Sequence, residues 1–265
     1  MKNIFVLVLL CGAAAAQVYC PNAPGELEIP SSHCCGGENG ITGLAVFVRE
    51  YFLLMQLDCM LDIFFDALLF DDEVLEFYMY LSSPEFEQLC IEIQEMPEWI
   101  ELMNYFCFEL DFDPFLYLNT MGSLLNIRHM KHPQNCVFEF PLPWSKKVDQ
   151  TLIGTGSQPL SRLRDWPVTN QGIGGVVGLI DVLYYEIPHD KGYQLWVDMT
   201  DDPNSYLCRA YEKMRTPYFK YMVLRIEQKP EYIRFYQKLN QWGVNFTKFT
   251  DDLKKFLWES HYCQL

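Results

Sequence analysis

The chain has 265 residues, half of them hydrophobic, and a formal net charge of −15 at pH 7. Such an acidic protein repels nucleic acid and anionic membrane surfaces, which argues against both as partners. The charge is uneven, with 21 Asp and Glu against 3 Lys and Arg in residues 17–140, and 14 against 16 in residues 141–265. This asymmetry indicates either two halves of complementary charge or a solvated acidic face.

Residues 1–16 have the pattern of a secretory signal peptide. A charged start at Lys2 is followed by an apolar run from Ile4 to Leu10 and by four alanines ending at Ala16, after which we expect cleavage. The run is too short to span a bilayer, and no later stretch reaches about 18 apolar residues without charge. We therefore expect a secreted protein that makes peripheral membrane contact at most.

Nine cysteines remain once Cys11 of the signal peptide is set aside. Export favours disulfides, and the odd number leaves at least one cysteine unpaired or bonded to another chain. Buried free thiols are an alternative for the cysteines in apolar helical patterns, namely Cys59, Cys90 and Cys107. We expect pairing mainly outside the repeated segments or at their edges, among Cys20, Cys34, Cys35, Cys136 and Cys263.

A set of short motifs occurs twice in the same order, at an offset of 132 to 134 residues. Ser83-Pro84-Glu85-Phe86 returns as Thr216-Pro217-Tyr218-Phe219, and Met96-Pro97-Glu98-Trp99-Ile100 returns as Lys229-Pro230-Glu231-Tyr232-Ile233. A duplicated unit normally buries its apolar face against its twin. The chain then divides into a signal peptide (1–16), a cysteine-containing N-terminal arm (17–39), repeat 1 (40–127), a Pro/Gly-rich linker (128–171), repeat 2 (172–259) and a C-terminal tail (260–265).

Prolines and capping residues within each repeat predict short helices. Ser83, Asp113 and Thr216 each precede a proline, which is the arrangement of a side-chain cap before the first helical position. Prolines thirteen residues apart limit the helices between them to about twelve residues. Apolar positions recur with a period of 3.6, and no strand-like alternation competes over a comparable length. We predict an all-α fold with five or six short helices in each repeat.

The helices are apolar over more than half of their circumference. This surplus can meet a second subunit, a membrane or an enclosed apolar ligand, and an ordinary well-filled helical core is the alternative. Eleven methionines and 15% aromatic residues suit a cavity that accepts varied guests. The candidate lining residues are Phe65, Leu69, Phe77, Trp99, Met103, Phe106, Trp196, Met199, Met222, Phe235 and Leu239.

No catalytic constellation or cofactor motif is found in the sequence. His129 and His132 make a poor metal site because no second ligand pair follows and Pro133 predicts that a helix ends at His132. The glycines of residues 172–178 fail the dinucleotide register and indicate close helix packing instead. We interpret Asp71-Asp72-Glu73 and Asp201-Asp202 as acidic helix starts. Asn245-Phe246-Thr247 is a glycosylation sequon.

The ordered motifs resemble those of the insect allergen-related repeat family, which includes group-one cockroach allergens, midgut microvillar proteins and nitrile-specifier proteins. The resemblance rests on Ser82-Ser83-Pro84-Glu85-Phe86, on Met96 to Tyr105, on Gly243-Val244-Asn245-Phe246 and on Ile187-Pro188-His189-Asp190-Lys191. It covers about residues 40–127 and 172–259. The long linker, the cysteine-rich arm and Gly192 within an expected helix depart from the family pattern.

The resemblance implies a roughly spherical shell of short helices from the two tandem repeats around a large apolar cavity. It also implies that the cavity holds fatty acids or phospholipid tails, in a protein of the insect midgut lumen or microvillar surface. We therefore expect a secreted lipid-binding protein without cofactor or metal, and not an enzyme. The alternatives are a non-catalytic interaction protein of the gut lining and a nitrile-specifier-like detoxification factor.

Overall fold

A computed structural model of the chain describes residues 35, 44–54, 57–125, 127–133, 173–259 and 263. The predicted signal peptide, nearly all of the N-terminal arm and most of the linker and tail lie outside the described residues.

The described residues form twelve α-helices and contain no strand, which confirms the all-α prediction. Six lie in each predicted repeat. In chain order they are α1 Leu44–Leu54, α2 Leu57–Phe70, α3 Asp72–Leu81, α4 Pro84–Gln94, α5 Pro97–Glu109, α6 Pro114–Leu124, α7 Gly175–Tyr185, α8 His189–Thr200, α9 Tyr206–Met214, α10 Pro217–Glu227, α11 Pro230–Gln241 and α12 Phe246–Glu259. None of these described helices combines the length and the apolar character that crossing a membrane requires.

The predicted proline starts and side-chain caps set the helix boundaries. The hydroxyl oxygen of Ser83 accepts a hydrogen bond of 3.3 Å from the backbone N–H of Phe86, and Thr216 accepts an equivalent bond from Phe219. Each bond satisfies one of the backbone donors that a helix start leaves without an intrahelical partner. The helices from Pro84 and Pro217 have 11 residues each, which confirms the length that the proline spacing predicts, and those from Pro97 and Pro230 have 13 and 12.

Two predicted helix boundaries differ from the structure. Asp71 does cap α3, but Asp201 and Asp202 follow the end of α8 and do not begin a helix. There the carboxylate of Asp202 instead accepts a hydrogen bond of 2.9 Å from the N–H of Asn204, and Ser205 caps the next helix. His132 likewise ends no helix, because residues 127–132 run on in a non-helical segment after α6.

The helices of the two repeats contact each other reciprocally. Helix α4 packs on α11 while α5 packs on α10, and α1 packs on α8 while α2 packs on α7. Helix α1 also contacts α9, as α3 contacts α7. If α1–α6 are taken as the counterparts of α7–α12 in order, the two contacts of each pair join corresponding helices. For example, the contact of α4 with α11 corresponds to that of α10 with α5. Two repeats related by a two-fold axis would give this pattern, but the tandem repeat itself stays a prediction.

Ion pairs across the α4/α5 and α10/α11 interface follow the charge asymmetry of the sequence. Every acid of these pairs comes from the first repeat and every base from the second. Glu98 lies 2.8 Å from Arg225 and 2.6 Å from Lys229, and the other pairs are Glu85 with Lys238, Glu92 with Arg234 and Glu101 with Arg225. Next to this interface, Glu109 of α5 pairs in the same way with Lys213 of α9. The interpretation that the halves complement each other is confirmed at this interface.

Gly192 faces the other repeat at the crossing of α1 and α8. A Cβ atom at this position would lie 2.5 Å from Cε2 of Tyr51, which is closer than real Cβ atoms approach. The glycine therefore makes room for the Tyr51 ring. Its departure from the family pattern has a local packing reason and does not interrupt α8.

Two disulfides join described cysteines, Cys35 to Cys107 and Cys208 to Cys263. Cys35 and Cys263 pair as expected, but their partners lie within helices α5 and α9, so the expectation that pairing avoids the repeat bodies is wrong. Cys107 was a candidate free thiol and is bonded, whereas Cys90 carries a free thiol. Cys20, Cys34 and Cys136 lie outside the described residues.

Candidate functional site

The largest buried apolar cluster draws on both repeats, and we call it the main interior cluster. It contains residues of α4 and α5 from the first repeat and of α8, α9, α10 and α12 from the second. Its buried members include Ile93, Met103, Cys107, Trp196, Tyr211, Phe219, Met222 and Leu257. A smaller second cluster, centred on Phe77, Phe86, Val176, Leu239 and Phe246, lies across α3, α4, α7, α11 and α12.

The structure brings most of the predicted lining residues to these two clusters. Met103, Trp196 and Met222 are buried in the main interior cluster, and Phe77 and Leu239 are buried in the second. The remaining predicted residues that join them are half-buried and pack against the main interior cluster, namely Trp99, Phe106, Met199 and Phe235. Phe235 also packs against the second cluster and so connects the two.

Phe65 and Leu69 do not join the other predicted lining residues. Leu69 is 55% exposed, and Phe65 is half-buried with its ring centroid 5.8 Å from that of Phe64. The interior face of α2 instead carries Phe64, Ala67 and Leu68, which stand three and four residues apart. The prediction of an interior position for Leu69 is corrected accordingly, because an evenly apolar helix does not reveal which side faces inward.

Aromatic rings from several helices surround the predicted lining residues. The Trp196 ring makes edge-to-face contacts with Phe47, Tyr211 and Phe256 at centroid distances of 5.2, 5.7 and 5.0 Å. Phe235 lies 5.7 Å from Phe86 and 6.0 Å from Phe246. These distances are those of favourable aromatic pairs.

The comparison with protein families gives one finding. A family model described as "insect allergen related repeat, nitrile-specifier detoxification" matches residues 43–206, which is more than half of the chain. The chain belongs to the insect allergen related repeat family. The match begins just before α1 and ends at the first residue of α9. A comparison with characterised proteins gave no match.

Sequence reasoning missed two equivalent residues of this allergen-related repeat protein. Phe86 and Phe219 are buried to 5% and 3% exposure, each two residues after the proline that begins its helix. Phe219 contacts the rings of Tyr105 and Phe106, at 5.5 and 5.9 Å. The repeated Ser/Thr-Pro-x-Phe motif contains both residues, so the repetition itself was the signal that could have found them.

Two polar side chains combine depth with accessible surface. Burial raises the pKa of the Tyr232 hydroxyl, and the nearby carboxylate of Glu227 adds to the effect. Burial also raises the pKa of the Cys90 thiol, to about 12. Both side chains are nevertheless only half-buried. In both cases removal from water disfavours the charged form of the side chain.

Two indole nitrogens in this region find no hydrogen-bond acceptor among the described residues. They belong to Trp99 and Trp258, both of which pack against the main interior cluster. A buried donor without an acceptor costs about 1–3 kcal/mol, so a group that accepted a hydrogen bond here would recover that free energy.

The predicted sequon is exposed at the start of α12. The side-chain oxygen of Asn245 accepts a hydrogen bond of 2.9 Å from the N–H of Lys248, and the residue is exposed. Because glycosylation modifies the side-chain nitrogen, this cap can persist in a glycosylated chain.

Proposed function

We propose that this protein is a secreted lipid-binding protein that holds fatty acids or phospholipid acyl chains in an internal apolar cavity. The observation that carries the proposal is the set of side chains that pack against the main interior cluster and still keep accessible surface. Trp99, Phe106, Met199 and Phe235 belong to this set, and Tyr232 combines depth with accessibility in the same region. An acyl chain could contact these side chains while it packs against the buried members of the cluster.

An acyl chain supplies the apolar surface that such an interior would bury. Burial contributes about 0.8 kcal/mol for each methylene group, or roughly 25 cal/mol for each Å² of apolar surface. Burial of a long-chain tail therefore contributes several kcal/mol, from which association and ordering costs are subtracted. Methionine and aromatic side chains adapt to tails of different length, which favours a broad specificity.

The polar end of the lipid would meet the unpaired indole donors. The N–H groups of Trp99 and Trp258 can each donate a hydrogen bond to an ester carbonyl or a carboxylate oxygen. Either lipid class carries such an acceptor.

The proposed site of action is the insect midgut, in its lumen or on the microvillar surface. The predicted signal peptide and the two disulfides support secretion, since disulfides persist in oxidising compartments. The midgut assignment rests on the resemblance of the repeated motifs to those of insect midgut microvillar proteins.

The test is extraction of bound lipid, with organic solvent, from the protein purified from insect cells. The proposal predicts at least one fatty acid or phospholipid per chain in the organic extract, with a distribution of chain lengths. A folded, helical protein whose extract contains less than about one-tenth of a lipid per chain would refute it.

The description of the family model favours a second candidate, a nitrile-specifier-like role in detoxification. This role predicts that the protein alters the products of a detoxification reaction, and that one polar substitution abolishes the effect without changing lipid content. A third candidate, an interaction protein of the gut lining, predicts concentration-dependent self-association without extractable lipid.

A further inference from the structure

A buried group of sulfur, nitrogen and oxygen atoms lies at the end of α5, and its two cysteines belong to the main interior cluster. The Nε2 atom of His132 is 3.2 Å from Sγ of Cys35, which is bonded to Cys107. Oδ2 of Asp113 is 3.7 Å from the same nitrogen. All four residues are buried, with exposures of 0 to 6%.

These residue types match the ligands of a structural zinc site. The two sulfurs and one imidazole nitrogen lie within 4.8 Å of one another. In a tetrahedral site, bonds of about 2.3 Å to sulfur and 2.0 Å to nitrogen place neighbouring ligand atoms roughly 3–4 Å apart. The Asp113 carboxylate stands beside the imidazole nitrogen, where it can provide the fourth ligand.

We propose that reduction of the Cys35–Cys107 disulfide converts this group into a binding site for Zn²⁺ or a similar divalent ion. A dithiol or phosphine reductant supplies two electrons, and two protons complete the thiols. The metal ion then displaces both thiol protons and binds the two thiolates, the His132 nitrogen and the Asp113 carboxylate. Reduction must separate the two sulfurs, which a metal bound between them accommodates.

The charges of the ligands and their positions in the chain both favour metal binding after reduction of the disulfide. The two thiolates neutralise the divalent cation, and the Asp113 carboxylate leaves the four-ligand site with a net charge of −1, so no uncompensated positive charge is buried. The ligands come from the N-terminal arm, from α5 and from the segments before and after α6. The disulfide joins the arm to α5, and the metal would keep that connection in the reduced protein.

The test uses Co²⁺ alone as a spectroscopic probe of the full mature chain. The protein is reduced with a phosphine, freed of reductant without oxygen and titrated with Co²⁺, while circular dichroism follows its helix content. The proposal predicts one tightly bound Co²⁺ per chain with a thiolate-to-cobalt absorption band, and no such band in the oxidised protein. His132→Gln should weaken binding by about tenfold or more, as loss of metal-site partners does.

Exposed His129 provides the matched control, since it lies three residues from His132 in the same segment. His129→Gln should leave Co²⁺ affinity unchanged, and Asp113→Asn should weaken it without loss of helix content. A reduced, helical protein that binds no Co²⁺ would overturn the proposal. So would binding that His132→Gln leaves intact, or reduction that unfolds the chain without recovery on Co²⁺ addition.

Discussion

The carboxylate of Asp71 accepts a hydrogen bond of 3.0 Å from the backbone N–H of Gly175, which lies 104 residues further along the chain. The same carboxylate caps α3 through the N–H groups of Glu73 and Val74. One side chain thus completes helix starts in both repeats. Gly175 has a positive φ of 68°, and a Cβ there would lie 2.3 Å from Oε2 of Glu73, so the contact requires glycine.

Replacing Asp71 with Asn should destabilise the protein by about 1–3 kcal/mol. Asparagine caps helices well, so α3 keeps its start. However, the amide has one oxygen in place of two, and its NH₂ group would meet the N–H of Gly175. Urea denaturation followed by circular dichroism measures the change in the free energy of unfolding.

The control for this prediction is Asp72→Asn. Asp72 is exposed in the first turn of the same helix, and its substitution should change stability by less than about 0.5 kcal/mol. Equal effects of the two variants would show that the bond to Gly175 contributes nothing beyond the negative charge at the helix start.

Alanine at position 192 should disrupt the crossing of α1 and α8. Its Cβ would lie 2.5 Å from the Tyr51 ring, and such overpacking costs about 1–3 kcal/mol. The thermal midpoint should therefore fall, whereas Lys191→Ala, at an exposed neighbour, should leave it nearly unchanged.

A second substitution identifies the cause of the Gly192→Ala effect. Adding Tyr51→Leu should recover part of the lost stability relative to the sum of the single effects, because the clash disappears with the ring. Strict additivity of the two substitutions would mean that Tyr51 is not the obstacle.

The Glu98 carboxylate should make the protein sensitive to acid. Its hydrogen bond with Lys229, together with that from Arg225, lowers the pKa of Glu98 below its usual range. A carboxylate with a lowered folded-state pKa stabilises the protein above the unfolded value of about 4.3, and this contribution is lost as pH falls through the folded-state pKa.

The measurement is the unfolding free energy of the native protein and of Glu98→Gln between pH 7 and pH 3. The native protein should be more stable at pH 7, and the difference should shrink below about pH 4.3. Exposed Glu76→Gln is the matched control and should show no such convergence. A constant difference across this range would show that the Glu98 charge is not the source of stability.

Filling the interior should reduce lipid content. Met199 is half-buried against the main interior cluster, so Met199→Trp would project a larger side chain into the space proposed for the acyl chain. Extracted lipid per chain should fall or shift to shorter tails. Met79→Trp is the control because Met79 is 64% exposed. Unchanged lipid in the folded Met199→Trp protein would place the cargo elsewhere.

The sequence predicts the helices well because their signals are local. Ser83 and Thr216 precede prolines whose fixed backbone angle suits a first helical position, so the boundaries need no tertiary information. The charge asymmetry of the sequence left complementary halves and a solvated acidic face as alternatives, and the ion pairs of Glu98 with Arg225 and Lys229 favour the first.

The remaining features depend on contacts between distant residues. The disulfide of Cys35 with Cys107 and the approach of His132 join segments whose separation in sequence carries no local signal. Leu68 and Leu69 are adjacent residues of the same type. Only the packing of α2 shows that Leu68 faces a buried cluster while Leu69 is exposed. Cavity lining cannot be read from apolar periodicity alone.

Native mass spectrometry of the protein purified from insect cells, with identification of the released lipids, tests the central claim most directly. The account predicts a family of masses above that of the chain, each matching one or more fatty acids or phospholipids, and collapse to the bare chain after solvent extraction. A single mass equal to that of the bare, folded chain before extraction would contradict it.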